Sequence, residues 1–130
     1  MNGKIGLDLH GTIDHCPDFF SILSELFVSN GGEVHIITGS RETDEVHEEL
    51  KELGIVYTDF FSITDQLLFE GLEHTINEDG TYNFDSDKWD AVKGAYASLV
   101  ELDFHIDDTA IYGDYFKTPF FLYPHLIKTN

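Results

Sequence analysis

Two places where an apolar run ends in carboxylates frame the chemistry open to this chain. Ile5-Gly6-Leu7 leads into Asp8, with Gly11-Thr12 three and four residues further on. Phe104-His105-Ile106 leads into the adjacent pair Asp107-Asp108. The first pattern is a strand entering a tight turn, so Asp8 is presented at the strand's carboxyl end, where open α/β sheets bind ligands. Taken alone, Asp8 could equally cap that turn. Adjacent acids such as Asp107 and Asp108 repel each other and are seldom structural unless a cation offsets the repulsion. Oxygen ligands of this kind suit magnesium better than zinc. A third apolar run, Ile36-Ile37, ends in Thr38-Gly39-Ser40-Arg41.

The elements that must position these residues follow from the pattern around them. Strand-like and helix-like segments alternate, which predicts a mainly parallel sheet covered by helices. Lys4 to Asp8 is the first strand. Pro17-Asp18 opens a helix through about Ser29, with Phe19, Phe20, Leu23, Leu26 and Phe27 as its apolar stripe and Asn30-Gly31-Gly32 as its stop. Glu33 to Thr38 is the second strand. A helix follows from about Arg41 to Leu53, Gly54 ends it, and Ile55-Val56-Tyr57 begins a third strand. Thr64-Asp65 caps a short helix through Phe69. Glu73 to Phe84 reads as a hairpin turning at Asn77-Glu78-Asp79-Gly80. Asp85-Ser86-Asp87 caps a helix from Lys88 to about Leu102. Phe104 to Asp107 is a fourth strand and Pro119 to Tyr123 a fifth. With no repeat and no linker, residues 1–130 are expected to form one domain, with at most a small flap at about 73–85.

In this order the motifs resemble those of the haloacid dehalogenase (HAD) superfamily, across nearly the whole chain. Asp8 with Gly11-Thr12 matches its first motif, Asp-x-Asp-Gly-Thr, except that His10 stands at the second Asp. The resemblance implies an α/β, Rossmann-like three-layer sandwich with a five-stranded sheet in the order 3-2-1-4-5. It implies a carboxylate, Asp8, that attacks phosphorus to give an aspartyl-phosphate, with magnesium neutralising the charge. Thr38 and Gly39 take the place of the second motif, which holds the phosphoryl group. Arg41 either reaches that group or simply starts the next helix, with the helix preferred. Two lysines, Lys88 and Lys93, compete for the family's charge-neutralising role. Lys88 sits at the start of its helix, and Lys93 lies roughly 7 Å further down the axis, which favours Lys88 for catalysis and phosphate binding. In the last motif Asp108 is expected to bind magnesium directly and Asp107 through water or a neighbour. The metal set is thus Asp8, the His10 carbonyl, Asp108 and Asp107. A response-regulator receiver uses similar residues, but its acid pair comes early, whereas here it comes last.

His10 is the departure that matters. The family's second Asp protonates the leaving oxygen and then activates water, and histidine suits proton transfer near neutral pH. The expected function is a magnesium-dependent phosphomonoester hydrolase of the capless type, with nucleotides among the candidate phosphorylated metabolites. The alternative is a catalytically weak protein of the same fold that binds magnesium and a phosphorylated ligand or a protein partner. A purely acidic interaction module is a third reading. His15, His35, His47, His74, His105 and His125 read as surface or core residues. Trp89, Tyr82 and Phe84 could stack on a base, although aromatic core positions are the plainer reading.

Composition narrows the partners. There are 25 acidic against 7 basic side chains, a formal net charge of −18. Such a surface repels nucleic acid and anionic membranes and attracts divalent cations. An open site favours a large or protruding phosphorylated substrate, or a small one covered by a partner subunit. Since the charge weakens the case for a nucleic-acid end, a phosphorylated small molecule is the expected partner. Cys16, the sole cysteine, excludes an intrachain disulfide. With no secretory signal or membrane span read from the sequence, a cytoplasmic location is expected.

Overall fold

The computed structural model describes residues 2–124, and His125 lies outside that range. Along the chain it forms β1 (Lys4–Leu7), α1 (Pro17–Ser29), β2 (Glu33–Thr38), α2 (Asp44–Glu52), β3 (Asp59–Ser62), α3 (Ile63–Phe69), β4 (Thr75–Ile76), β5 (Tyr82–Asn83), α4 (Ser86–Val100), β6 (Phe104–Asp107), α5 (Ala110–Gly113) and β7 (Phe120–Leu122). Five parallel strands make one sheet in the order β3-β2-β1-β6-β7. Setting aside the separate two-stranded hairpin β4-β5, this is the 3-2-1-4-5 order expected of a Rossmann-like sandwich.

The central strands are buried on both faces, one face apolar and the other mixing Gly6 and Ile37 with the buried polar residues His35, His105 and Asp107. Ile5, Leu7, Val34 and Ile36 pack with Phe20 of α1 and Leu50 of α2. Ile37 faces the other way, onto Ala97 of α4 and Leu102. Consecutive residues 36 and 37 thus serve opposite layers, as a strand's two-residue period requires. Within α1 only part of the expected stripe is inward: Phe20 is buried, but Phe19 and Leu26 are 54% and 58% exposed.

Several boundaries differ from the sequence expectation, among them the starts of β3 and α2 and the cap of α3, which is Ser62 and not Thr64-Asp65. Ile55–Tyr57 is not strand. The Ile55 N–H is taken by the Leu50 carbonyl at 3.0 Å, closing α2 through Gly54 at φ +74. The Val56 N–H goes to Ser24 Oγ at 3.1 Å. Pairing with β2 therefore starts only at Thr58, whose N–H reaches the Val34 carbonyl at 2.9 Å. Likewise α2 starts at Asp44, not Arg41. Thr43 Oγ1 caps the Val46 N–H, while Arg41 Nε and the Glu42 N–H both donate to Asp65 at 2.7 and 2.8 Å. The cap of α3 is Ser62, which accepts from the Asp65 N–H. Asp85 caps α4 by accepting from the Lys88 N–H, and Glu101, at φ +60, ends it.

Candidate functional site

Every chemically interesting strand end lies on the same edge of the sheet. Asp8 follows β1, Thr38 closes β2, Ser62 closes β3 with Thr64 just beyond it, and Asp107 closes β6 with Asp108 following. A cavity of about 540 Å³ opens there, lined among others by Asp8, His10, Thr38, Gly39, Lys93 and Asp108.

Its floor is a buried charge network. Lys93 Nζ donates to Asp8 Oδ1 at 2.9 Å and to Asp107 Oδ2 at 2.7 Å. Asp107 Oδ2 also lies 2.8 Å from His105 Nε2, and its Oδ1 accepts the Thr109 N–H at 3.1 Å. Thr12 Oγ1 donates to Asp8 Oδ2 at 3.1 Å and lies 3.5 Å from Asp108 Oδ1. Lys93, His105 and Asp107 are essentially without solvent exposure. The network spans residues that are far apart in sequence, and β1 and β6 bring them together by pairing Leu7 with Ile106.

One ammonium group serves two buried carboxylates, and the electrostatics divide them. Burial pushes the Asp8 carboxyl up to about 7, against the pull of Lys93 and assisted by Asp107 and Asp108. For Asp107 burial acts in the same sense, but the His105 hydrogen bond and the Lys93 charge outweigh it and hold its carboxyl below the ordinary range. Burial works against the Lys93 proton, yet Asp8 and Asp107 keep it bound above the usual lysine value. Burial pushes the His105 imidazole down, so it sits neutral beside Asp107.

Positive charge is therefore short at Asp8. Asp8, Asp107 and Asp108 each offer a carboxylate oxygen, and these atoms lie within 4.8 Å of one another. An all-oxygen donor set of this kind fits a hard divalent cation such as magnesium. Asp107 spends both oxygens on protein donors, and Asp108, within reach of Thr12 Oγ1, lines the cavity. Gly11 makes this arrangement possible. Its φ of +92 favours glycine, and a Cβ there would overlap the Asp108 carboxylate.

The lysine assignment needs correction. Lys88 is exposed, lies at the first turn of α4 and borders a different groove, between α3 and α4. Lys93 makes the contacts instead. Helical side chains lean toward the helix N-terminus, so the long Lys93 stem recovers the axial distance that seemed to disqualify it. A signal was present: Lys93 lies four residues after Trp89 and four before the buried Ala97, on the inward face of α4. The preference for Arg41 as a helix-starting residue also fails. Arg41 lines the cavity, fixed by Asp65 at 2.7 Å and lying 5.7 Å from the Tyr82 ring centre.

Thr38 is buried and its Oγ1 accepts the Ser40 N–H at 3.2 Å, which shapes the Thr38–Gly39 turn. Thr64 Oγ1 donates to the Gly39 carbonyl at 2.6 Å and braces the same turn. His10 is exposed at the rim, with Nε2 3.1 and 3.2 Å from the two Glu49 oxygens. Its ring groups with Asp14 and Glu49, apart from the three aspartates. Of the other histidines, His35 and His105 are buried and His15 and His74 exposed. Glu49, Thr109 and Tyr112 carry no motif that marks them in the sequence, and Thr64, expected only as a helix cap, braces the Thr38–Gly39 turn instead. Among the described residues, no helix is long and apolar enough to cross a membrane. Comparison with protein-family models, with curated proteins and with solved structures finds no match.

Proposed function

We propose that this protein is a magnesium-dependent phosphomonoester hydrolase working through an aspartyl-phosphate on Asp8, as its resemblance to the HAD superfamily implies. The observation that carries the reading is the buried Asp8 carboxylate, held by Lys93 at 2.9 Å and Thr12 at 3.1 Å at the base of an open cavity. Asp8 and Asp108 would hold magnesium, with the His10 carbonyl as a further donor and Asp107 behind them. Bound there, the ion would keep Asp8 ionised and draw charge from the phosphoryl oxygens.

The chain's own residues then have defined work. An Asp8 oxygen bonds to phosphorus and the ester P–O bond breaks, the leaving oxygen taking a proton from His10. Water then attacks the aspartyl-phosphate, giving its proton to His10, and inorganic phosphate departs with Asp8 restored. Lys93 offsets negative charge throughout, and the Thr38–Gly39 turn faces the transferring group. Since Glu49 is an acceptor, it holds the Nε2–H of His10, and Nδ1 is the nitrogen that exchanges the proton. The same contact favours a second reading, in which His10 is held back at the rim and the phospho-enzyme turns over slowly.

Phosphate release from a panel of phosphomonoesters with magnesium tests both, using the wild type, Asp8→Asn and His10→Asp. Activity lost in Asp8→Asn supports hydrolysis. An inert wild type that gains activity in His10→Asp supports the slow scaffold. Inactivity in all three overturns the phosphatase reading.

A further inference from the structure

A row of aromatic rings runs from the floor of the cavity to its mouth. The Lys93 ammonium lies 4.8 Å from the Tyr112 ring centre. Tyr112 accepts a hydrogen bond from Trp89 Nε1 at 2.9 Å. Trp89 stacks on Phe84 at 6.1 Å and 21°, and Phe84 on Tyr82 at 6.4 Å and 22°. The Arg41 guanidinium then lies 5.7 Å from the Tyr82 centre. Tyr112, Trp89, Tyr82 and Arg41 all line the cavity, while Phe84 stacks with both Trp89 and Tyr82.

From this row, and resting on the hydrolase reading of Asp8, we infer that the substrate is a phosphomonoester bearing a planar heteroaromatic ring, of the class of a nucleoside 5′-monophosphate. Trp89 ties the ring wall to the phosphoryl end, since a Cβ added at Gly39 would lie 2.8 Å from Trp89 Cζ2. The phosphate therefore sits beside the base of the wall, and the rest of the substrate extends along it. A cavity of about 540 Å³ is far larger than a phosphate needs and falls in the range of about 300–1,000 Å³ typical of sites for small organic molecules. Half-buried ring faces recognise a flat π-system. The guanidinium and the phenol hydroxyls supply donors and acceptors for ring nitrogens and carbonyls. Tyr82 reaches the cavity from the β4-β5 hairpin, so this small flap contributes the outer end of the wall. The net charge of −18 disfavours a polyanion and leaves a free nucleotide as the fitting form.

Trp89 is the sole tryptophan, so its fluorescence reports on this wall alone. The test titrates Asp8→Asn protein, which cannot be phosphorylated at that position, with adenosine and uridine 5′-monophosphates and with ribose 5-phosphate, magnesium present. At least one nucleotide is expected to quench saturably and to bind about 5-fold to 100-fold more tightly than ribose 5-phosphate. Tyr82→Leu in the same background should bring that preference toward one, and Tyr82→Phe should keep it. Equal affinity for nucleotides and ribose 5-phosphate overturns the inference, as does a preference that Tyr82→Leu leaves intact. Phosphate release by the wild type separates the two readings. Quenching without release removes the hydrolase and keeps the ring site. Equal release from nucleotides and ribose 5-phosphate keeps the hydrolase and removes the ring site.

Discussion

Lys93 Nζ lies 2.9 Å from Asp8 Oδ1 although 85 residues separate them, and the same ammonium holds Asp107 at 2.7 Å. One buried cation thus organises both ends of the site. Lys93→Met strips the counter-charge from two buried carboxylates, a change expected to cost about 3–5 kcal/mol of stability. Lys88→Met, at an exposed position, should stay within about 0.5 kcal/mol. Chemical denaturation of both variants checks this, and equal effects would remove Lys93 from the centre of the network.

In the metal-free protein, Asp8 works against folding as the pH rises. Its folded value of about 7 lies above the ordinary 3.8, so the folded state holds that proton more tightly than the unfolded chain does. The resulting stability is fully present below about pH 4 and is lost as the pH climbs through about 7. Asp8→Asn should therefore raise the melting temperature relative to wild type at pH 8 and change it little at pH 4. Magnesium should narrow the gap at pH 8 by stabilising the wild type. Melting curves with an unchanged gap at the two pH values would contradict this.

Gly11→Ala should damage the proposed metal site and the fold together. The positive φ costs about 1–3 kcal/mol for a residue with a Cβ, and the added carbon overlaps Asp108. Calorimetric titration with magnesium is expected to show weaker binding, and unchanged affinity would argue that Asp108 is not a ligand.

His10→Ala should separate the two chemical steps. On the proposed mechanism the leaving group of p-nitrophenyl phosphate needs little protonation, so attack by Asp8 should continue while hydrolysis of the phospho-enzyme slows about 100-fold to 10,000-fold. Rapid mixing should show one equivalent of nitrophenol released in a burst, then a slow phase. A variant without a burst, turning over like wild type, would take the proton-transfer role from His10.

The strands were legible because most are apolar runs ending in a turn, and β6 falls where its pattern places it, while their order was implied by the resemblance. Asp8, Thr38 and Asp108 were legible for the same reason, since a strand's carboxyl end fixes where its next side chain points. Lys93 was misjudged because axial height along α4 was weighed without the backward lean of a long side chain. The starts of β3 and α2 were missed because hydrogen bonds from distant residues, Ser24 and Asp65, decide them. In the wall of rings Tyr82, Phe84 and Trp89 are near neighbours in sequence, whereas Tyr112 and Arg41 reach it from distant segments, which no local pattern encodes.

The pairing of β1 with β6 also sets when the site comes into being. β1 is central, and its second neighbour is made about a hundred residues later, from Leu7↔Ile106. At a synthesis rate of about 5–20 residues per second, Asp8 leaves the ribosome roughly 5–20 s before Lys93 and Asp107 can join it. During that interval the carboxylate is an ordinary solvated acid without a cavity. Contacts this distant also make folding slow relative to a chain of local hairpins. The nascent protein is therefore expected to stay inert and protease-sensitive until β6 docks, and to gain its protection in one late step.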